Sequence, residues 1–126
     1  MLHLTDRAAI TAALASDIDP ALRDLLATRA AALVTDDYDL TDCTEFLIVE
    51  EGDTEADIVA AVGFSPLVDP IDGYRIDERG FQPGWDWLAD QGEWLELSFS
   101  FGSDAAVVTM IARTSALGNA IKDLMV

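Results

Sequence analysis

The sequence predicts an α+β domain, with an N-terminal helical hairpin and a C-terminal helix packed on a mainly antiparallel sheet of three to five strands. Three observations carry that expectation. A leucine stripe at helical spacing follows Asp19-Pro20, a short continuous apolar run occupies Phe46 to Val49, and a strictly alternating segment from Trp94 to Phe101 precedes a turn and a second apolar run. Helical and strand periods in one short chain, with helices at both ends, point to helices covering one sheet.

The first third reads as the hairpin. Thr5 is placed to cap a helix from about Asp6 to Ser16, with Ile10 and Leu14 on one face. Asp19 is a second start signal, because its carboxylate can accept orphan amide hydrogens while Pro20 sits in the first turn without loss. Leu22, Leu25, Leu26, Leu33 and Val34 then form the stripe that must be buried, with Arg23 and Arg29 to its sides.

Beyond Thr35 the chain changes character. Residues Asp36 to Asp42 read as a polar loop, and Phe46-Leu47-Ile48-Val49 as a strand buried on both faces. Asp53 is the expected cap of a short helix with Ile58, Val59 and Val62 facing inward, and Gly63 the left-handed stop. Asp72-Gly73 suits a hairpin turn between Val68–Ile71 and Tyr74–Ile76, and Trp85 to Gln91 reads as a short helix stopped by Gly92. In the alternating strand Leu95, Leu97, Phe99 and Phe101 are expected to meet the helices, leaving Trp94, Glu96, Ser98 and Ser100 on a partly wet face. Gly102-Ser103-Asp104 turns into Ala106–Ile111, and Ser115 caps a last helix with Leu117, Ile121, Leu124 and Met125. No repeat or linker divides the chain, so residues 1–126 form one compact domain.

Charge narrows the function classes. The chain holds 24 acidic and 7 basic side chains for a formal net charge of −17, and Lys122 is its single lysine. Direct binding to nucleic acid is disfavoured, since cationic contacts to phosphate supply most of that affinity; anionic membranes are disfavoured likewise. No apolar run approaches membrane-spanning length. With one cysteine and no secretory signal, the chain reads as cytoplasmic.

The acid excess is concentrated. Asp36, Asp37, Asp39, Asp42, Glu45, Glu50, Glu51, Asp53, Glu55 and Asp57 fall in one stretch that contains no base. Asp36, Asp37, Asp39, Asp42, Glu50, Glu51, Glu55 and Asp57 form the candidate acidic patch, suited to a basic protein partner whose association it would accelerate. A sharper alternative is mimicry of nucleic acid, with carboxylates standing where phosphates would be. Crowding of these acids predicts raised carboxylate pKa values and relief of repulsion by salt.

All three tryptophans lie within ten positions. Trp87 or Trp94 beside Asp86, Asp90 or Glu96 would make an aromatic and acidic patch for an arginine-bearing partner. Material for catalysis or metal binding is thin. Asp37, Asp39 and Thr41 begin with the spacing of a calcium loop, but Asp42 stands where glycine is needed and Ile48 where glutamate is needed. His3 and Cys43 are far apart and unsupported, and no phosphate-binding or nucleophile motif occurs. Paired carboxylates such as Asp86 and Asp90, four apart on the expected helix, suit acid–base work in a carboxylate-based enzyme. The sequence therefore predicts a non-enzymatic binding module without cofactor or metal; self-association as a homodimer is the remaining alternative.

Overall fold

The computed structural model describes residues 1–35, 44–63, 65, 81–91, 93–101 and 106–115; over 81–91, 97–101, 106 and 107 the description is of the backbone. Among the described residues five strands and three helices run in the order β1 (Leu2–Leu4), α1 (Arg7–Leu14), α2 (Pro20–Thr35), β2 (Thr44–Val49), α3 (Glu55–Val62), β3 (Phe81–Gln91), β4 (Trp94–Phe101) and β5 (Ala106–Arg113). The sheet order is β1-β2-β5-β4-β3. β2 and β5 are parallel, and the other three pairings are antiparallel. This is the mainly antiparallel α+β sheet expected, with a parallel pair at its centre. The expected hairpin of residues 68–76, the turn at 102–104 and the C-terminal helix beyond Ser115 lie outside the described residues.

The helical hairpin forms as its start signals require, with one shift. Asp6, rather than Thr5, is the extended residue that caps α1, and its Oδ1 accepts from the Ala9 amide at 2.7 Å. A carboxylate one residue further on reaches the orphan amide better, so α1 starts at Arg7 and closes at Leu14. At α2 the Asp19 Oδ1 accepts from the Ala21 amide at 2.8 Å. Arg23 ties the turn between the helices by donating to the Ser16 carbonyl at 2.7 Å. Leu22, Leu26, Ala30 and Leu33 are the buried face of α2, while Val34 stays exposed at its end.

β2 reads as the apolar run dictates. Phe46, Leu47, Ile48 and Val49 are all fully buried, because β2 sits between β1 and β5 with side chains alternating into both layers. On one face Phe46 and Ile48 join Leu4, Trp94 and Ile111 in a core with Ile10 and Ala13 of α1 and Leu22, Leu26, Ala30 and Leu33 of α2. On the other, Leu47 and Val49 stand in register with Met110 and Ala112, also buried. Burial of each such valine, leucine, isoleucine, methionine or phenylalanine side chain contributes about 1.5–3 kcal/mol.

α3 packs against β2 through Ile58 and Val62, whereas Val59, expected to face inward, is exposed. Its cap is Thr54 rather than Asp53. The Thr54 hydroxyl accepts from the Asp57 amide at 3.3 Å, and Asp57 Oδ2 accepts from the Thr54 amide at 2.9 Å. Asp53 instead accepts from the Glu50 amide at 2.8 Å and closes the turn after β2. Gly63 ends α3 at φ 87°, where its amide donates to Val59 at 2.9 Å.

Two expectations about the tryptophan region are overturned. Residues 85–91 are not a helix; they belong to β3, whose Ala89, Asp90 and Gln91 pair with Glu96, Leu95 and Trp94. A seven-residue helix has few internal hydrogen bonds to set against its nucleation cost, and β4 offers ladder partners on both sides of an irregularity between Gly84 and Ala89. Over Trp94–Glu96, the part of β4 whose side chains are described, the face expected to be wet is also covered. Trp94 and Glu96 lie on the face turned to the helical hairpin and are 0% and 2% exposed, while Leu95 is buried on the opposite side. Alternation alone cannot show that both faces of a strand are covered.

Candidate binding surface

The parallel pairing of β2 and β5 sets their carboxyl ends side by side, with Val49 opposite Ala112. The chain leaves β2 as Glu50-Glu51 and leaves β5 through Arg113, Thr114 and Ser115. β4 runs antiparallel to β5 with Trp94 opposite Arg113, so Glu93 arrives at the same end. Glu50, Glu51, Glu93, Arg113, Thr114 and Ser115 line a cleft of about 540 Å³ there.

Arg113 is the hub of that cleft. Its guanidinium lies over the Trp94 ring, 4.2 Å from the centroid. Nε donates to Glu50 Oε2 and Nη1 to Glu93 Oε2, each at 2.9 Å, and Nη2 stands 3.9 Å from Asp19 Oδ2. The hydrogen bond to Glu50 raises the guanidinium pKa above its ordinary value; burial opposes the rise, and the charges of Glu50, Glu93 and Asp19 add to it. One cation is thus held by carboxylates from the α1–α2 turn, the end of β2 and the turn before β4. Ser115 Oγ donates to Glu51 Oε1 at 2.6 Å, and the Thr114 amide donates to the Glu93 carbonyl at 2.7 Å. The Glu50 and Glu93 side chains remain 42% and 75% exposed, and Glu51 is exposed as well.

Of the expected acidic patch, the structure brings Glu50 and Glu51 together at this cleft. Glu55 and Asp57 are exposed in the first turn of α3, where negative charge suits the helix dipole. Asp57 serves the capping box, and the hydrogen bonds it accepts from Thr54, backbone first and hydroxyl second, hold its carboxyl below the ordinary value. The direction is opposite to that expected from crowding. Asp36, Asp37, Asp39 and Asp42, with the calcium-like spacing and Cys43, lie outside the described residues. His3 on β1 pairs with Glu45 at 2.8 Å.

The expected aromatic patch does not form as drawn. Glu96 is buried under α2, where Arg29 donates to its Oε1 through Nε at 3.0 Å and through Nη2. Trp94 is buried beneath Arg113, and its Nε1–H has no acceptor among the described residues. Asp86, Trp87 and Asp90 lie on the backbone of β3, and their side chains are outside the description. Asp86 and Asp90 are therefore not one turn apart on a helix; Asp90 is in the β3–β4 ladder, and Asp86 lies in the irregularity between Gly84 and Ala89. Sequence reasoning missed Glu93, Arg113 and Asp19, since only the β2–β5 and β4–β5 pairings and the packing of the helical hairpin on the sheet make them neighbours. The one signal present was an arginine ending an apolar strand in a chain with few cations.

Together the sheet and the cleft define an α+β domain with a carboxylate-rimmed, arginine-centred surface at the carboxyl ends of its parallel strands. Comparison of the chain with protein-family models, with curated proteins and with solved structures finds no match. No helix among the described residues is long and apolar enough to cross a membrane.

Proposed function

We propose that this domain is a non-enzymatic binding module for a basic protein partner, with the cleft at the ends of β2 and β5 as its contact surface. The observation that carries this reading is the excess of exposed carboxylate there: among the described residues, Glu50, Glu51 and Glu93 share a single lining cation, Arg113. The net charge of −17 supplies the long-range field that draws a cationic protein toward that rim. Rim carboxylates act chiefly on association rate and salt dependence, so the partner is expected to bind faster at low ionic strength. A cytoplasmic setting belongs to the same reading and rests on the near absence of cysteine.

The test is retention of basic proteins from native lysate on immobilised domain, compared with a Glu51→Gln/Glu93→Gln variant at low and high salt. Retention that falls with salt and drops about tenfold in the variant, close to 1.4 kcal/mol, is the expected result. Equal retention by both proteins at all salt concentrations would remove the cleft from the interface.

A further inference from the structure

We propose that Asp19, Glu50, Glu93 and the Trp94 ring form a guanidinium-binding slot that the chain fills with its own Arg113, and that an arginine of the basic partner competes with Arg113 for it. The inference rests on the basic-partner reading above and names the chemical group that reading requires. Its evidence is an occupied site rather than a cluster of acids. A planar cation already lies on an indole face with carboxylates at its edge, the arrangement in which guanidinium is favoured over ammonium.

Three features make the internal occupant displaceable. Arg113 is the last residue of β5, so its side chain can swing out without breaking the ladder that holds the strand. Nη2 stands 3.9 Å from Asp19, beyond hydrogen-bond reach, so the third carboxylate is attracted but not bonded. The slot opens on the cleft, with the Arg113 side chain 21% exposed and Glu93 largely so, which gives an incoming side chain access. Three carboxylates around one guanidinium leave a local charge of about −2 that an approaching arginine meets first. While Arg113 is seated the site is only fractionally competent, and the apparent affinity for an external arginine is reduced by that fraction. The contact is therefore autoinhibitory.

Calorimetric titration of a short, end-blocked peptide of arginine and glycine into the domain tests this, with the lysine counterpart as a second probe. Arg113→Ala is compared with wild type and with Arg7→Ala, which removes the same charge from the exposed face of α1. The expected result is a gain of at least about tenfold for Arg113→Ala over both others, larger for the arginine peptide than for the lysine peptide. A gain no larger than that of Arg7→Ala overturns the slot, because charge alone then accounts for it. Should Arg113→Ala fail to fold, Arg113→Lys keeps the charge but cannot bridge two carboxylates while stacked; a gain over wild type supports the slot and no gain overturns it. Loss of wild-type binding in Glu51→Gln/Glu93→Gln with no special effect at Arg113 leaves the acidic surface standing and removes the competition. Absence of peptide binding to every variant overturns the slot as well.

Discussion

Arg29 and Glu96 show how a single pair can be misread from sequence and yet matter to the fold. Glu96 sits on an alternating strand where polar residues ordinarily face water, but α2 covers it and supplies Arg29. Its side chain is 3% exposed and that of Arg29 18% exposed, so the Glu96 carboxylate has no bulk water in place of its partner. Removing Arg29 leaves the Glu96 carboxylate buried without its cation, at a cost of about 3–5 kcal/mol, whereas replacing both with apolar residues of similar volume is close to neutral. Arg29→Met is therefore expected to lower unfolding free energy by about 3 kcal/mol, and Arg29→Met/Glu96→Leu to recover most of the loss. Urea titrations of the two variants decide this; equal losses would mean that the pair is solvated rather than dry. Trp94 is likewise no exposed residue: it is fully buried, and Arg113 lies over its ring.

At the level of elements, α3 carries its own specification. Thr54 and Asp57 exchange hydrogen bonds across the first turn, and Gly63 at φ 87° stops the last. The signal is legible, although the cap is Thr54 rather than the expected Asp53, because both are competent caps and only the turn after β2 engages Asp53 elsewhere. The lowered pKa of Asp57 has a definite sign. The Thr54 hydrogen bonds favour the ionised form in the folded state, so their stabilisation is present above the unfolded carboxyl pKa near 3.9 and is lost as pH falls through the lower folded value. Asp57→Asn should accordingly reduce the melting temperature at neutral pH, and the two melting curves should converge in strong acid. A difference that persists unchanged in acid would assign the effect to packing instead. β3 is the contrasting element. Its tryptophans and aspartates are compatible with either a short helix or a strand, and the choice is made by the open hydrogen-bonding edge of β4.

The whole molecule carries a charge of −17, and self-repulsion of that size opposes the compact state. Moderate NaCl screens this repulsion more than it weakens the few ion pairs, so the melting temperature should rise with salt at neutral pH; a steady decline would mean that pairs such as Arg113–Glu50 and Arg29–Glu96 dominate. Composition alone was enough for that expectation, and local pattern was enough for the hairpin, the doubly buried β2, α3 and the β4–β5 pair, because caps, helical stripes and strand runs are written in adjacent residues. What adjacent residues do not encode is which elements become neighbours. The parallel β2–β5 pairing joined Glu50 to Arg113 across 63 positions, the β4–β5 pairing placed Glu93 and Trp94 beside them, and α2 buried Glu96. Those contacts depend on long-range packing free energy, which no window of the sequence contains, and they alone decided where the candidate surface lies.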